Sequence, residues 1–158
     1  MSAAESELFF KRRSIRKFKP GAIDREVLVA ILAAGMSAPS ACAKDPWRFI
    51  VIEDGGLLAQ AAEALPNGKF LPDAAAGILV CGDLERAHAG ELSYLLQDCS
   101  AAIENILLAI TAAGLGGCWL GVHPRPDRIA HLRSLFQLPE TLVPVGVVAL
   151  GHPGENPP

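Results

Sequence analysis

LSYLLQDCSAAIENILLAITAA, Leu92 to Ala113, is the stretch on which the fold turns. Ala102, Ile103, Ile106, Leu107, Ile110 and Ala113 recur at helical spacing and make one broad apolar stripe. Ser100, Ala101, Ala109 and Ala112 keep the remaining surface small, so the helix is apolar nearly all round. Such a helix belongs at the centre of the molecule, packed on a sheet and on a partner subunit. Gly114 follows as a left-handed stop. Asp98 and Glu104 are candidates for buried or interface carboxylates, although exposed charges on its outer face are the plainer expectation.

Working outward, Arg48 to Ile52 and Ala76 to Cys81 are continuous apolar runs of strand length, with a helix from Leu57 to Leu65 and a Pro66-Asn67-Gly68 turn between them. Further upstream Asp24 is a candidate N-cap. Ile23 and Leu28 stand at hydrophobic-staple spacing, and Val27, Leu28, Ile31 and Leu32 share one face of a helix that ends near Gly35. Glu5 to Phe10 reads as a short N-terminal helix. Downstream, Gly117 to Val122 is a short strand whose glycines let something lie against the backbone. Pro126 and Asp127 open a helix with Ile129, Leu132, Leu135 and Phe136 inward, and Leu142 to Leu150 is a strand running into Gly151-His152-Pro153. Helices and strands mix without a clean βαβ alternation, which predicts an α+β fold in one domain, residues 1–158.

Of the residues, 51% are hydrophobic and only 20% charged, with mean hydropathy +0.31, more apolar surface than one small globule hides, which predicts an obligate oligomer. A net charge of -3 argues against a broad nucleic-acid-binding face. Ile106 to Val122 is uncharged and nearly long enough for a membrane span, but Gly114, Gly116, Gly117 and Gly121 break it as a helix, so it reads as core. Cys42, Cys81, Cys99 and Cys118 show no CxxC or Cys/His metal spacing and no secretory signal precedes them. The expectation is free, buried thiols in a reducing cytoplasm and no metal.

Lys11-Arg12-Arg13-Ser14-Ile15-Arg16-Lys17-Phe18-Lys19 holds six of the fourteen basic residues. Ser14 adds a hydroxyl, Ile15 and Phe18 add apolar anchors, and the arginine forks suit phosphate or carboxylate. A loop of small residues, Ser37 to Trp47, lets a flat ligand approach backbone. There is no GxGxxG after a strand, GxxxxGK[ST], HExxH or GxSxG. His88, His123, His131 and His152 are scattered without a triad, and Glu53, Asp54, Asp83 and Glu85 read as solvated loop charges. An anion clamp without an acid, base or nucleophile predicts a cofactor that does its own chemistry.

Arg12-Arg13-Ser14-Ile15-Arg16-Lys17-Phe18, Ala38 to Ala41 with Pro46-Trp47-Arg48-Phe49, Asp98 to Gly121 with Gly114-Leu115-Gly116, and Val147 to Pro153 come in one order over nearly the whole chain. Together they resemble the FMN-dependent nitroreductase family in its short form. The resemblance implies a central, mostly antiparallel sheet flanked by helices, and an intertwined homodimer with FMN at the subunit interface. It gives Arg12, Arg13, Ser14 and Arg16 to the phosphate, ribityl chain and pyrimidine edge. Pro39, Ser40 and Ala41, with Ala43 beside them, would reach the flavin from the other subunit, and the backbone of Leu120, Gly121 and Val122 would face the ring. No catalytic side chain is implied, since FMN carries the chemistry. The implied activity is ping-pong hydride transfer from NAD(P)H through flavin N5 to a nitroaromatic, quinone or similar acceptor.

The chain departs from the family's usual Pro-Ser-Ala-x-Asn-x-Gln-Pro-Trp, with Ala43 at the Asn position and Asp45 at the Gln position. An amide for the flavin is lost and a carboxylate gained, which disfavours added negative charge on a reduced flavin. Basic residues usual beyond the Gly-His-Pro turn are also not in the sequence, which runs to Pro158. Arg12, Arg13, Ser14 and Arg16 are then expected to hold the phosphate largely alone. A non-catalytic flavin-binding or regulatory paralogue is the alternative expectation.

Overall fold

The computed structural model describes residues 3–158, with side chains from Glu7 onward. Five helices, α1 (Ala3–Lys11), α2 (Arg25–Met36), α3 (Gly55–Ala62), α4 (Leu92–Ala112) and α5 (Pro126–Leu135), accompany five strands, β1 (Phe18–Lys19), β2 (Trp47–Ile52), β3 (Ala76–Asp83), β4 (Gly116–Gly121) and β5 (Leu142–Pro153), among the described residues. Every pairing of these strands is antiparallel: β2 with β3, β3 with β5, and β5 with β4 and, at its far end, β1. The fold is α+β, with β5 as the spine of the sheet.

Both faces of the sheet are covered, which is why β3 and β5 are apolar without alternation. Ile78, Val80, Val148 and Leu150 point to α2 and α4, while Leu79, Cys81, Val147 and Ala149 point to the side of α3 and α5. The central helix lies where its composition requires. Leu95, Ala102, Ile103, Ile106 and Ile110 of α4 are fully buried, so a helix long and apolar enough to cross a membrane spends that apolarity on the sheet.

Several expectations need correction. Asp98 is 5% exposed, the one buried charged residue among those described, because α4 turns it toward the loop before β2. Asp24 precedes α2 without a side-chain capping bond, although Ile23 and Leu28 do share a buried cluster. Asp54, read as a loop charge, is the true cap: its carboxylate accepts the Leu57 N–H at 2.8 Å, and α3 starts two residues early. Asp83 likewise has a partner, Arg48, at 3.1 Å. Cys42 is exposed, unlike the three other free cysteines. Gly114, at φ 72°, ends the α4 segment as its position implied.

Candidate functional site

The basic stretch is strapped down along its length. Ile15 donates its N–H to the Gly117 carbonyl at 2.9 Å, and Ser14 bridges Gly117 in parallel, so the stretch lies along the outer edge of β4. Gly154 N–H reaches the Lys17 carbonyl at 2.7 Å, and Glu155 Oε1 accepts the Arg16 N–H at 2.6 Å. Ile15 is buried against Gly116, whose missing Cβ makes the space. These contacts fix the direction in which each basic side chain leaves the backbone.

They do not all leave the same way. Arg16 lines a cleft of about 170 Å³ with Leu65, Asn67, Gly68, Cys118, Trp119, Leu120, Gly121 and Arg128. Arg13 turns away into a separate cleft with Glu155 and Asn156, donating to the carbonyls of Phe10 at 2.6 Å, Arg12 at 3.0 Å and Pro158 at 3.0 Å. Arg12 faces Glu104 of α4 at 3.8 Å, a long and half-exposed pair that contributes little. Burial pushes the Cys118 thiol up, while Arg16, the Ser14 hydroxyl and Arg12 pull the other way and Glu155 adds to the rise.

Arg128 is the residue the sequence did not reveal. It stands in the first turn of α5, where the helix dipole disfavours a cation, so helix stability does not explain it. Its Nη1 donates to the Gly121 carbonyl at 2.7 Å, and its buried Nε–H has no partner. Asn67 was legible only as a turn residue. Both are functional candidates because the chain doubles back to β4. Trp119 stays 38% exposed beside them, its indole lying over Gly146, where a Cβ would collide with it.

The other predicted group lies elsewhere. Pro39, Ser40, Ala41 and Ala43 precede β2, at the opposite edge of the sheet from β4. Three strand spacings of about 4.8 Å separate the two edges. Ser40 Oγ and the Asp45 carboxylate bond at 2.5 Å, with the Asp45 N–H donating back to Ser40 Oγ at 2.9 Å, so the carboxylate at the family's Gln position is engaged within its own loop. Val122, fully buried, donates its N–H to Val145 O and leaves only its junction with Gly121 at the cleft.

The histidines are structural where they are bonded: His131 Nε2 meets Gln60 O at 2.8 Å and His152 Nε2 meets Ala22 O at 3.2 Å. No group of three His, Cys, Asp or Glu side chains suited to a metal occurs among the described residues.

The cleft suits the polar edge of a flavin ring. Two guanidinium groups and an amide line it, no carboxylate does, and a Cβ placed on Gly121 would meet nothing within 4 Å, so a flat ring can lie on that backbone. Comparison with known proteins gives the same class. The nitroreductase family model matches residues 10–68 and 57–152, and the chain belongs to the nitroreductase family. It is 44% identical over 150 residues, covering 95% of this chain and 86% of the relative, to a candidate NADH dehydrogenase/NAD(P)H nitroreductase of Archaeoglobus fulgidus. A crystal structure of a candidate protein of that same description from Bacteroides thetaiotaomicron superposes with TM-score 0.92 at 38% identity, over 100% of this chain and 92% of that one. A candidate nitroreductase from Desulfovibrio desulfuricans, solved in complex with FMN, matches with TM-score 0.87 at 30% identity, over 100% and 91% of the two chains.

Proposed function

We propose that this chain is an FMN-dependent NAD(P)H oxidoreductase acting as a homodimer, with FMN at the interface. The observation that carries it is the open Gly121 backbone flanked by Arg16, Asn67 and Arg128 in a cleft free of carboxylates. When bound, FMN supplies hydride transfer between NAD(P)H and an acceptor such as a nitroaromatic or quinone. The protein supplies position and charge. Arg12 and Ser14 hold the phosphate, Arg16 and Arg128 offset negative charge at the ring, and the Leu120 to Val122 backbone supports it. Arg13, engaged with three carbonyls, serves as a strap for the clamp.

The same geometry supports the dimeric reading. Sites for ligands of this size run to roughly 300–1,000 Å³, and the cleft offers about 170 Å³. The missing wall is the Pro39 to Ala43 loop of a second copy, since within one copy that loop sits at the far edge of the sheet. Exposed Phe9, Phe10, Tyr94 and Trp119 provide apolar surface for such an assembly. The free cysteines suit a cytoplasmic setting.

The visible spectrum of the purified protein, with FMN added and then with NADH or NADPH under anaerobic conditions, tests the reading. Flavin absorbance that is bleached by either nicotinamide is the expected result. A protein with no flavin absorbance and no uptake of added FMN overturns the proposal, and FMN that binds but resists both nicotinamides marks a non-catalytic flavin protein.

A further inference from the structure

The loop before β2 holds a backbone shape that its residues do not favour. Cys42, Ala43 and Asp45 have φ of 51°, 50° and 47°, and none is glycine. L side chains enter that region only where surrounding structure holds them there. Two fasteners are visible. One is the exposed Ser40–Asp45 pair. The other comes from a buried side chain: Asp98 Oδ1, on α4, accepts the N–H of half-buried Ala41 at 2.9 Å.

Asp98 is a costly choice for that task. It is 5% exposed, has no ion-pair partner among the described residues, and its Oδ2 is buried without a hydrogen bond. Burying a carboxylate without a paired counter-charge is expensive, and one hydrogen bond offsets only part of that cost. Global stability therefore does not explain the carboxylate, and the one bond it makes is to the strained loop. We infer that Asp98 is a positioning residue, fastening Ala41 to Ala43 to the rigid central helix in the shape presented to the FMN held by the partner subunit. The inference rests on the dimeric, FMN-binding reading above. Asp98 itself need not touch the flavin; it acts through the Ala41 N–H.

Asp98→Asn and Asp98→Leu separate this role from a merely structural one. Asparagine keeps an oxygen acceptor for the Ala41 N–H, and leucine removes it. In flavin-free protein, hydrogen exchange at the Ala41 amide should stay slow in Asp98→Asn and become fast in Asp98→Leu. FMN affinity should change little in the first and fall roughly tenfold or more in the second, the scale of a small misplacement at a site. Any fall in the melting temperature of Asp98→Leu should be small, because the variant loses one hydrogen bond but sheds a buried, unpaired carboxylate. Ala41→Pro deletes the donor from the other side and suits the extended Ser40 before it, at φ −137° and ψ 157°, so it should reproduce the loss of FMN if Asp98→Leu does not fold. A lower melting temperature with unchanged FMN affinity overturns the inference, as does FMN loss in Asp98→Asn with Ala41 still protected. Wild-type protein that takes up no FMN sinks the cofactor reading instead, while Ala41 exchange still reports whether Asp98 fastens the loop.

Discussion

Arg13 and Arg16 are three positions apart in one basic run, yet their chemistry is opposite. Arg13 spends its Nε and Nη1 on three carbonyls, whereas Arg16 keeps its guanidinium at the cleft with one long contact, to Ser14 O at 3.4 Å. Arg16→Ala should weaken FMN binding by about tenfold or more, the scale of a charged hydrogen bond at roughly 1.5–3 kcal/mol. Arg13→Ala should leave FMN affinity within about twofold and act on stability instead. Fluorescence titration of FMN against both variants checks the contrast. Arg128→Met frees the Gly121 carbonyl and removes a positive charge, so it should both weaken FMN and make the bound flavin harder to reduce. Arg128→Lys should keep the potential near that of wild type, because the charge remains. Dye-coupled reduction potentials of the two variants decide between charge and geometry.

At the scale of elements, two buried thiols stand near each other, Cys99 in the seam between α4 and β3 and Cys81 on the opposite face of β3. Cys99 Sγ donates weakly to Cys81 O at 3.7 Å, and burial pushes each thiol from 9.0 up to about 12. A folded-state value above the unfolded one contributes stability that is complete below the lower value and lost as pH rises toward the higher. Stability should fall between pH 9.0 and about 12, by about 1.4 kcal/mol per pH unit for each thiol. A Cys81→Ala/Cys99→Ala variant should show a shallower decline in urea melts across that range. The crossing of α2 and α4 depends on Gly35, where a Cβ would approach Ile106 Cγ1 at 2.8 Å and Phe49 Cε2 at 3.1 Å. Alanine normally favours a helix over glycine by about 1 kcal/mol. Overpacking here should outweigh that gain, so Gly35→Ala should lower the melting temperature, by a net ~1–2 kcal/mol in stability.

On the scale of the whole molecule, the cleft on β4 and the loop before β2 stand on opposite edges of one sheet, so the proposed site needs a second copy to bring them together. Sedimentation should show a dimer. Coexpressing Arg16→Ala with Asp98→Leu chains should restore FMN binding to part of the population, because a mixed dimer contains one site with both halves intact. No recovery on mixing would mean that each chain builds its site alone. Most of the architecture was legible in local pattern. The stripe on the central helix, the uninterrupted apolar strands and Gly114 each follow from period and stereochemistry, which depend on near neighbours in the chain. Asp98 was misread because helical periodicity says which face a residue occupies, not what covers that face. Arg128 and Asn67 escaped because no motif or periodicity ties the first turn of α5, or the turn after α3, to a cleft on β4. That the basic stretch is an anion clamp is an expectation drawn from its composition alone. That its arginines divide, with Arg16 at the cleft, Arg12 toward Glu104 and Arg13 tied to the backbone, was decided only by pairing with β4 and β5, because backbone pairing sets the direction of every side chain along it.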